Sequence, residues 1–432
     1  MERQSMTGDS SKTGVPSNYQ RILMNFSGLS LDQAPPIYVP FSFFITASIL
    51  GIFGSLHIAL FDYNYVYFHL ISIGFVGFVI IGALFQMFPV MIGVSVKKVL
   101  PTFYTIFFSL LLGLICFYLG YTLDNHTFMV LSTLLLISGF LTFCTVFLYS
   151  LFTSSTHHDA TSIAMSISLI FLTLGTLFGA SILLQYYLPS TIYHLPTNIH
   201  INTIFFGTIF ILIMGISFKI IPMFWVAKNY PTYCKKFILP LTTTLVLGFI
   251  ILKLFDIDFN ENIFYALIAL PLMAFYSITI RRLKNRKRKL KDYSVYFLYL
   301  GLSLGFIASI SLILQLFIPI DKTIFGLLFG FGCVLSFIFG LLYKIVPFLC
   351  WFHLSAKGLF DIPTIKDFIK EKTIKLHFYL HIILTCGIFL YIVDVVVINI
   401  LLAVLFLEFI VLLYNISSAF KTYLSITQKV IQ

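Results

Sequence analysis

The chain has 432 residues, 59% of them hydrophobic and 10% charged, with a mean hydropathy of +1.01. That leaves too little polar surface to clothe a water-soluble globule, so lipid is the solvent for most of it. A net charge of +11 would suit nucleic acid in a soluble protein, but the bases sit in particular loops, an orientation signal that excludes nucleic acid as a partner.

Residues 1–36 are rich in Ser, Thr, Gly and Pro and lack the apolar run of a cleavable signal, so they read as a disordered cytoplasmic tail. Crossing a ~30 Å hydrocarbon core takes ~20 apolar residues. Such runs fall near 38–61, 66–93, 99–121, 127–152, 161–189, 198–226, 234–256, 259–280, 292–319, 322–350, 374–396 and 397–422. The sequence therefore predicts an all-α polytopic membrane protein of about 12 transmembrane helices, one membrane domain over 37–422 and a cytoplasmic tail over 423–432.

With the N-terminus inside, the cytoplasmic loops collect Lys97, Lys98, Lys235, Lys236, the run RRLKNRKRKLK (281–291) and the lysines from Lys357 to Lys375, while the outside keeps Lys253 and Lys322. Both termini are expected in the cytoplasm of a bacterial inner membrane, and the basic run reads as an anchor beside anionic lipid. Residues 363–374 place Ile365, Phe368 and Ile369 on one face, which predicts a short interfacial helix. The six cysteines have no metal-site or haem-attachment spacing and read as small fillers.

Three spans share one internal pattern. Gly74, Gly82 and Pro89 in span 2 correspond without gaps to Gly207, Gly215 and Pro222 in span 6, and to Gly332, Gly340 and Pro347 in span 10. The offsets keep these residues within about an 80° stripe, where small side chains allow close helix approach and proline kinks the exit. This predicts three pseudosymmetric four-helix units, near 38–152, 161–280 and 292–422. Lys219 and Lys344 hold corresponding places three residues before the proline and read as snorkelling lysines.

The histidines carry whatever metal chemistry exists. His57, His69, His126, His194 and His200 fall toward the outer ends, whereas His157, His158, His353, His377 and His381 fall on the inner side. Ionisable residues within spans are functional candidates by default, and imidazole suits haem iron or copper. Each is otherwise an interfacial anchor. His200 lies two residues out of register with His69, whose equivalents are Asn202 and Leu327, so the repeat is broken here. His377 and His381 share a face one turn apart, a spacing that fits either a shared metal or a polar seam between helices. Glu408, mid-span, must be protonated or paired, with a His or Lys of a neighbouring unit as its expected partner.

Twelve spans, a threefold repeat and a His opening span 2 ahead of FQMFPVMIG (85–93) resemble subunit I of the haem–copper oxidases, including relatives without oxidase activity such as the NnrS-type proteins. By position the resemblance implies haem or copper at His69 and His200, with His57 as an alternative axial partner to His69. It implies a role in nitric-oxide or respiratory-stress response, or in haem or copper handling, with other respiratory subunits as partners. Span 10 lacks the family's two histidines, His353 following the predicted helix, and span 7 lacks the paired copper ligands; these departures argue against a complete oxygen reductase. A transporter or channel, or a cofactor-free assembly protein, are the alternatives.

Overall fold

A computed structural model of the protein describes residues 35–61, 65–154, 159–187, 195–357, 362–395 and 398–431. Residues 1–34 of the predicted N-terminal tail (1–36) lie outside them, as do His157, His158 and His194. Twelve helices among the described residues are long and apolar enough to cross a membrane. They are α1 (Tyr38–Leu60), α2 (Tyr65–Ile92), α3 (Val99–Thr122), α4 (His126–Phe152), α5 (Ala160–Gln185), α6 (Thr197–Trp225), α7 (Cys234–Leu254), α8 (Glu261–Lys284), α9 (Tyr293–Leu314), α10 (Lys322–Ser355), α11 (Glu371–Ile392) and α12 (Ile398–Lys429).

These segments are helical because a backbone in lipid must satisfy its own hydrogen bonds. Short polar side chains start several of them: Asn125, Asp159, Asn260, Asp292 and Asp321 each accept a hydrogen bond from the first-turn amides of α4, α5, α8, α9 and α10. At the opposite end of α2, Gly93 takes φ 68° and its N–H bonds Pro89 O, a left-handed stop that glycine adopts without strain.

Helices α2, α6 and α10 are the most buried of the twelve. They face one another across an apolar cavity of about 60 Å³, lined by residues such as Met87 of α2, Ile216 of α6 and Leu341 of α10. Nothing polar lines it, so it excludes water. The remaining helices pack around this trio, with α4 against α5, α8 against α9, and α12 back against α1.

Each glycine of the sequence pattern meets the preceding helix. A Cβ on Gly74, Gly207 or Gly332 would lie 3.0, 2.6 or 3.1 Å from Leu50, Phe171 or Leu304, respectively. A Cβ on Gly82 or Gly340 would reach Phe43 at 2.6 Å or the Ser294 carbonyl at 2.8 Å, and one on Gly215 would run into Ala164. The same helices share a second feature that hydropathy does not reveal: a π-helical turn at Leu70–Gly77 in α2, Thr203–Phe210 in α6 and Leu327–Val334 in α10. Such a turn carries an extra residue and is enriched at functional places.

Three boundaries differ from expectation. Helix α10 runs to Ser355, so His353 lies inside it and is buried rather than following it. The segment at 363–374 does not form an interfacial helix, because Thr364 and Asp367 close a capping box around a single 3₁₀ turn, Ile365–Asp367. Phe368 and Ile369 then bury against the protein instead of lying on lipid. The chain after 422, read as a tail, continues as helix to Ile431.

Candidate functional site

Two histidine pairs distinguish this bundle, one near the ends of α2 and α6 and one in the middle of α11. In the first, His69 is the last residue before the π turn of α2, and its Nδ1 lies 2.6 Å from Tyr65 O. His200, in the opening turn of α6, places Nδ1 2.8 Å from Gly175 O of α5. A carbonyl only accepts, so both Nδ1 atoms carry the proton and donate, which leaves each Nε2 with a free lone pair. Carbonyl anchoring of Nδ1 is how proteins orient a metal-binding imidazole.

The two rings lie 6.3 Å apart, centroid to centroid, with planes 18° from parallel. A metal–imidazole bond is ~2.0 Å and a ring nitrogen lies ~1.1 Å from the ring centre, so two imidazoles on opposite sides of one ion have centroids ~6.2 Å apart. The observed centroid separation matches the span expected where the two Nε2 atoms face each other. Phe117 of α3 stands edge-on to His69 at 5.6 Å. Gly179 of α5 closes the other side, since a Cβ there would meet His200 Cε1 at 2.8 Å. Gly175 and Gly179 were not legible as site residues; two glycines a turn apart in a span read first as packing.

The ring of His57 packs among Phe53, Tyr67 and Tyr118. Asn202, the register equivalent of His69, donates to Tyr265 Oη at 3.1 Å. Among the described residues no three of His, Cys, Asp and Glu gather as a metal-binding group. The donor set near α2 and α6 is therefore two imidazoles.

The second pair is committed to a hydrogen-bond network. His381 Nε2 lies 2.7 Å from Ser336 Oγ of α10, and Nδ1 lies 3.2 and 3.1 Å from the two carboxyl oxygens of Glu408 in α12. His377 Nδ1 is 2.5 Å from Tyr343 Oη, which also accepts from Asn415 Nδ2 at 2.9 Å. His377, His381 and Glu408 are fully buried. Both nitrogens of His381 are thus occupied, and the pair does not present the two free lone pairs of the shared-metal alternative. The partner of Glu408 is a His of its own four-helix segment rather than of a neighbouring one, a correction that follows from α11 and α12 packing as a hairpin. Tyr343 showed in the sequence only as the aromatic four residues before Pro347, and Ser336 and Asn415 carry no signal, because a lone hydroxyl or amide in a span usually bonds its own helix.

Lys219 and Lys344 do not merely snorkel. Lys219 pairs with Asp159 at 2.8 Å and Lys344 with Asp292 at 2.6 Å, so each lysine ties its helix to the N-cap of the helix before it. Asp159 lies outside the spans; burial raises its carboxyl pKa, but the Lys219 hydrogen bond and charge and two backbone amides outweigh this and hold it below the ordinary value. Gln86, at the corresponding place in α2, is buried with neither amide atom hydrogen-bonded. At the opposite end of the bundle Lys253 and Lys322 converge on Glu261, at 2.6 and 3.3 Å.

A scan against protein-family models gives no match, and a search of curated proteins gives none either. The functional reading rests on the geometry and on the pattern of residues.

Proposed function

We propose that this chain is a haem-binding membrane protein in which His69 and His200 would hold the haem. The observation that carries the reading is the His69–His200 arrangement: a 6.3 Å centroid separation, near-parallel planes, and both Nδ1 atoms anchored on carbonyls. Gly179 supports it, because the ring of His200 fits only where that residue has no Cβ. The donor set favours haem over bare copper. A porphyrin supplies four ligands and asks the protein for two, whereas a bare ion asks three or four of the protein.

Held by two imidazoles, the group would supply one-electron transfer rather than binding of a small gas. The residues present do the rest: carbonyls fix the imidazole tautomers, Phe117 walls off one ring, and the helix ends hold the rings apart. Respiratory or stress-response electron carriers of a bacterial inner membrane are the matching partners, with both termini cytoplasmic by the lysine distribution. The recurrence of the Gly–Gly–Pro stripe, the π turns and the Lys–Asp ties supports reading the twelve helices as three pseudosymmetric four-helix units. On that reading the haem site sits where the symmetry breaks.

The test is the visible spectrum of the purified protein, oxidised and reduced, with a pyridine haemochrome assay. A Soret band that His69→Ala or His200→Ala abolishes is the expected result. No haem after expression with ample supply, or a band untouched by both substitutions, overturns the proposal.

A further inference from the structure

The buried network around Glu408 has a directional build. Near the end of α10 beyond its π turn, Lys344 and Asp292 form an ion pair with side chains about one quarter exposed, 25% each. Tyr343, adjacent in sequence, starts the buried part, with Asn415 and His377 on its hydroxyl. One helical turn further along α11 comes His381, bonded to Ser336 and Glu408. Beyond that level the facing residues are apolar: Leu384 and Ile388 on α11, and Leu401, Leu402 and Leu405 on α12. Thr385, the remaining hydroxyl there, spends its proton on His381 O. The buried polar groups thus lie on the Lys344–Asp292 side of the Glu408 pair, and apolar side chains close its other side.

Hydrogen accounting fixes what this network holds. Ser336 Oγ donates to Gly332 O, so toward His381 it accepts, and Nε2 carries a hydrogen. Nδ1 then faces Glu408 with one hydrogen between them, on nitrogen or on oxygen. The pair is neutral with that proton and carries one negative charge without it, which a buried site in lipid disfavours. The titratable groups around the pair are His377 of α11 and Tyr343 of α10, while α9 contributes only the ring of Phe297. His377 Nε2 is buried with no hydrogen-bond partner, and among the described residues no direct hydrogen bond joins the Tyr343 group to the Glu408 pair.

We infer that His381 and Glu408 form a proton-binding site at mid-membrane depth, loaded from the Lys344–Asp292 end through Tyr343 and His377, with a water bridging at His377 Nε2. The ligand is a proton. On loading, the carboxylate of Glu408 and the Nδ1 lone pair of His381 take up one proton between them. On release the proton leaves by the same end, and no electron moves.

The experiment is infrared difference spectroscopy of the full chain in lipid nanodiscs, stepped from acidic to alkaline buffer in water and in deuterium oxide. Wild type should lose a deuterium-sensitive carboxyl or imidazolium band as the pH rises, and Glu408→Gln should lack that band altogether. Tyr343→Phe, which leaves the pair in place, should slow its deuterium exchange by roughly a hundredfold, the lower end of what a positioned proton-transfer group contributes. Should Glu408→Gln not be recovered folded, the Tyr343→Phe exchange rate decides. No pH-dependent band sensitive to Glu408, or an exchange rate unchanged in Tyr343→Phe, overturns the inference. The readout does not depend on haem, so its failure leaves the His69–His200 reading standing, and the reverse.

Discussion

The two histidine pairs use the same side chain for opposite purposes, and the difference lies in the second ring nitrogen. His69 and His200 each spend Nδ1 on a backbone carbonyl, stay half-buried, and keep Nε2 free at a spacing that suits an ion between them. His381 spends both nitrogens on side chains, and His377 spends Nδ1 on Tyr343, all fully buried. A histidine with one nitrogen anchored to the backbone is prepared to receive something. One whose nitrogens both face side chains, as in His381, has no lone pair left for a metal and can exchange only a proton with its partners.

That contrast predicts a double dissociation. The largest expected effect on cofactor content is loss of the Soret band in His69→Ala or His200→Ala; thermal unfolding of the haem-free protein should change little in His69→Ala, whose ring bonds a carbonyl of its own helix, and by about 1 kcal/mol in His200→Ala, which gives up one hydrogen bond to α5. Conversely, Glu408→Ala should retain the spectrum and lower stability by about 3–5 kcal/mol, the cost of leaving a buried polar partner unpaired. Denaturation monitored by circular dichroism measures the second effect and absorbance the first. If Glu408→Ala bleached the haem while His69→Ala destabilised the apoprotein, the roles assigned to the two pairs would be reversed.

A finer cut uses glycines. Gly179→Ala places a Cβ 2.8 Å from His200 Cε1 and forces the ring to move. The spectrum should shift, or haem content fall, at small cost in stability. Gly340→Ala places its Cβ 2.8 Å from the Ser294 carbonyl, a backbone atom that cannot step aside. Its expected cost is about 1–3 kcal/mol, with the spectrum unaltered. Gly248→Ala, with nothing within 4 Å, is the neutral control.

Twelve spans were legible because crossing lipid requires long apolar runs, and composition records that requirement directly. The Gly–Gly–Pro stripe was legible because small residues where helices touch recur at fixed spacing. The π turns were not, since an extra residue in a turn leaves no mark on hydropathy. Of the site, His69 and His200 stood out as ionisable groups at broken register. Their meeting depends on α2 and α6 both facing the bundle centre, which neither residue's neighbours reveal. The partners of Lys219 and Lys344 stayed hidden for a different reason. Asp159 and Asp292 look like ordinary N-caps, which they also are. The interfacial helix at 363–374 failed because spacing alone cannot weigh Pro363 and the Thr364 capping box against an apolar face.

The smallest effect separates the ties from both histidine pairs. Asp159 and Lys219 are about two-fifths exposed, 42% and 39%, so solvent screens them and their ion pair contributes at most about 1 kcal/mol. The folded carboxyl has a lowered pKa. Its contribution is therefore complete above the unfolded value and is lost as pH falls through the lower, folded one. Stability of wild type should accordingly decline on acidification more than that of Asp159→Asn, and the two should converge once the carboxyl is protonated. Because the tie lies at the proline end of α6, away from His69 and His200, the haem spectrum should not follow this titration. A Soret shift tracking Asp159 would mean that the helix ends on the two sides of the bundle move together, and the separation of roles drawn above would have to give way to a coupled one.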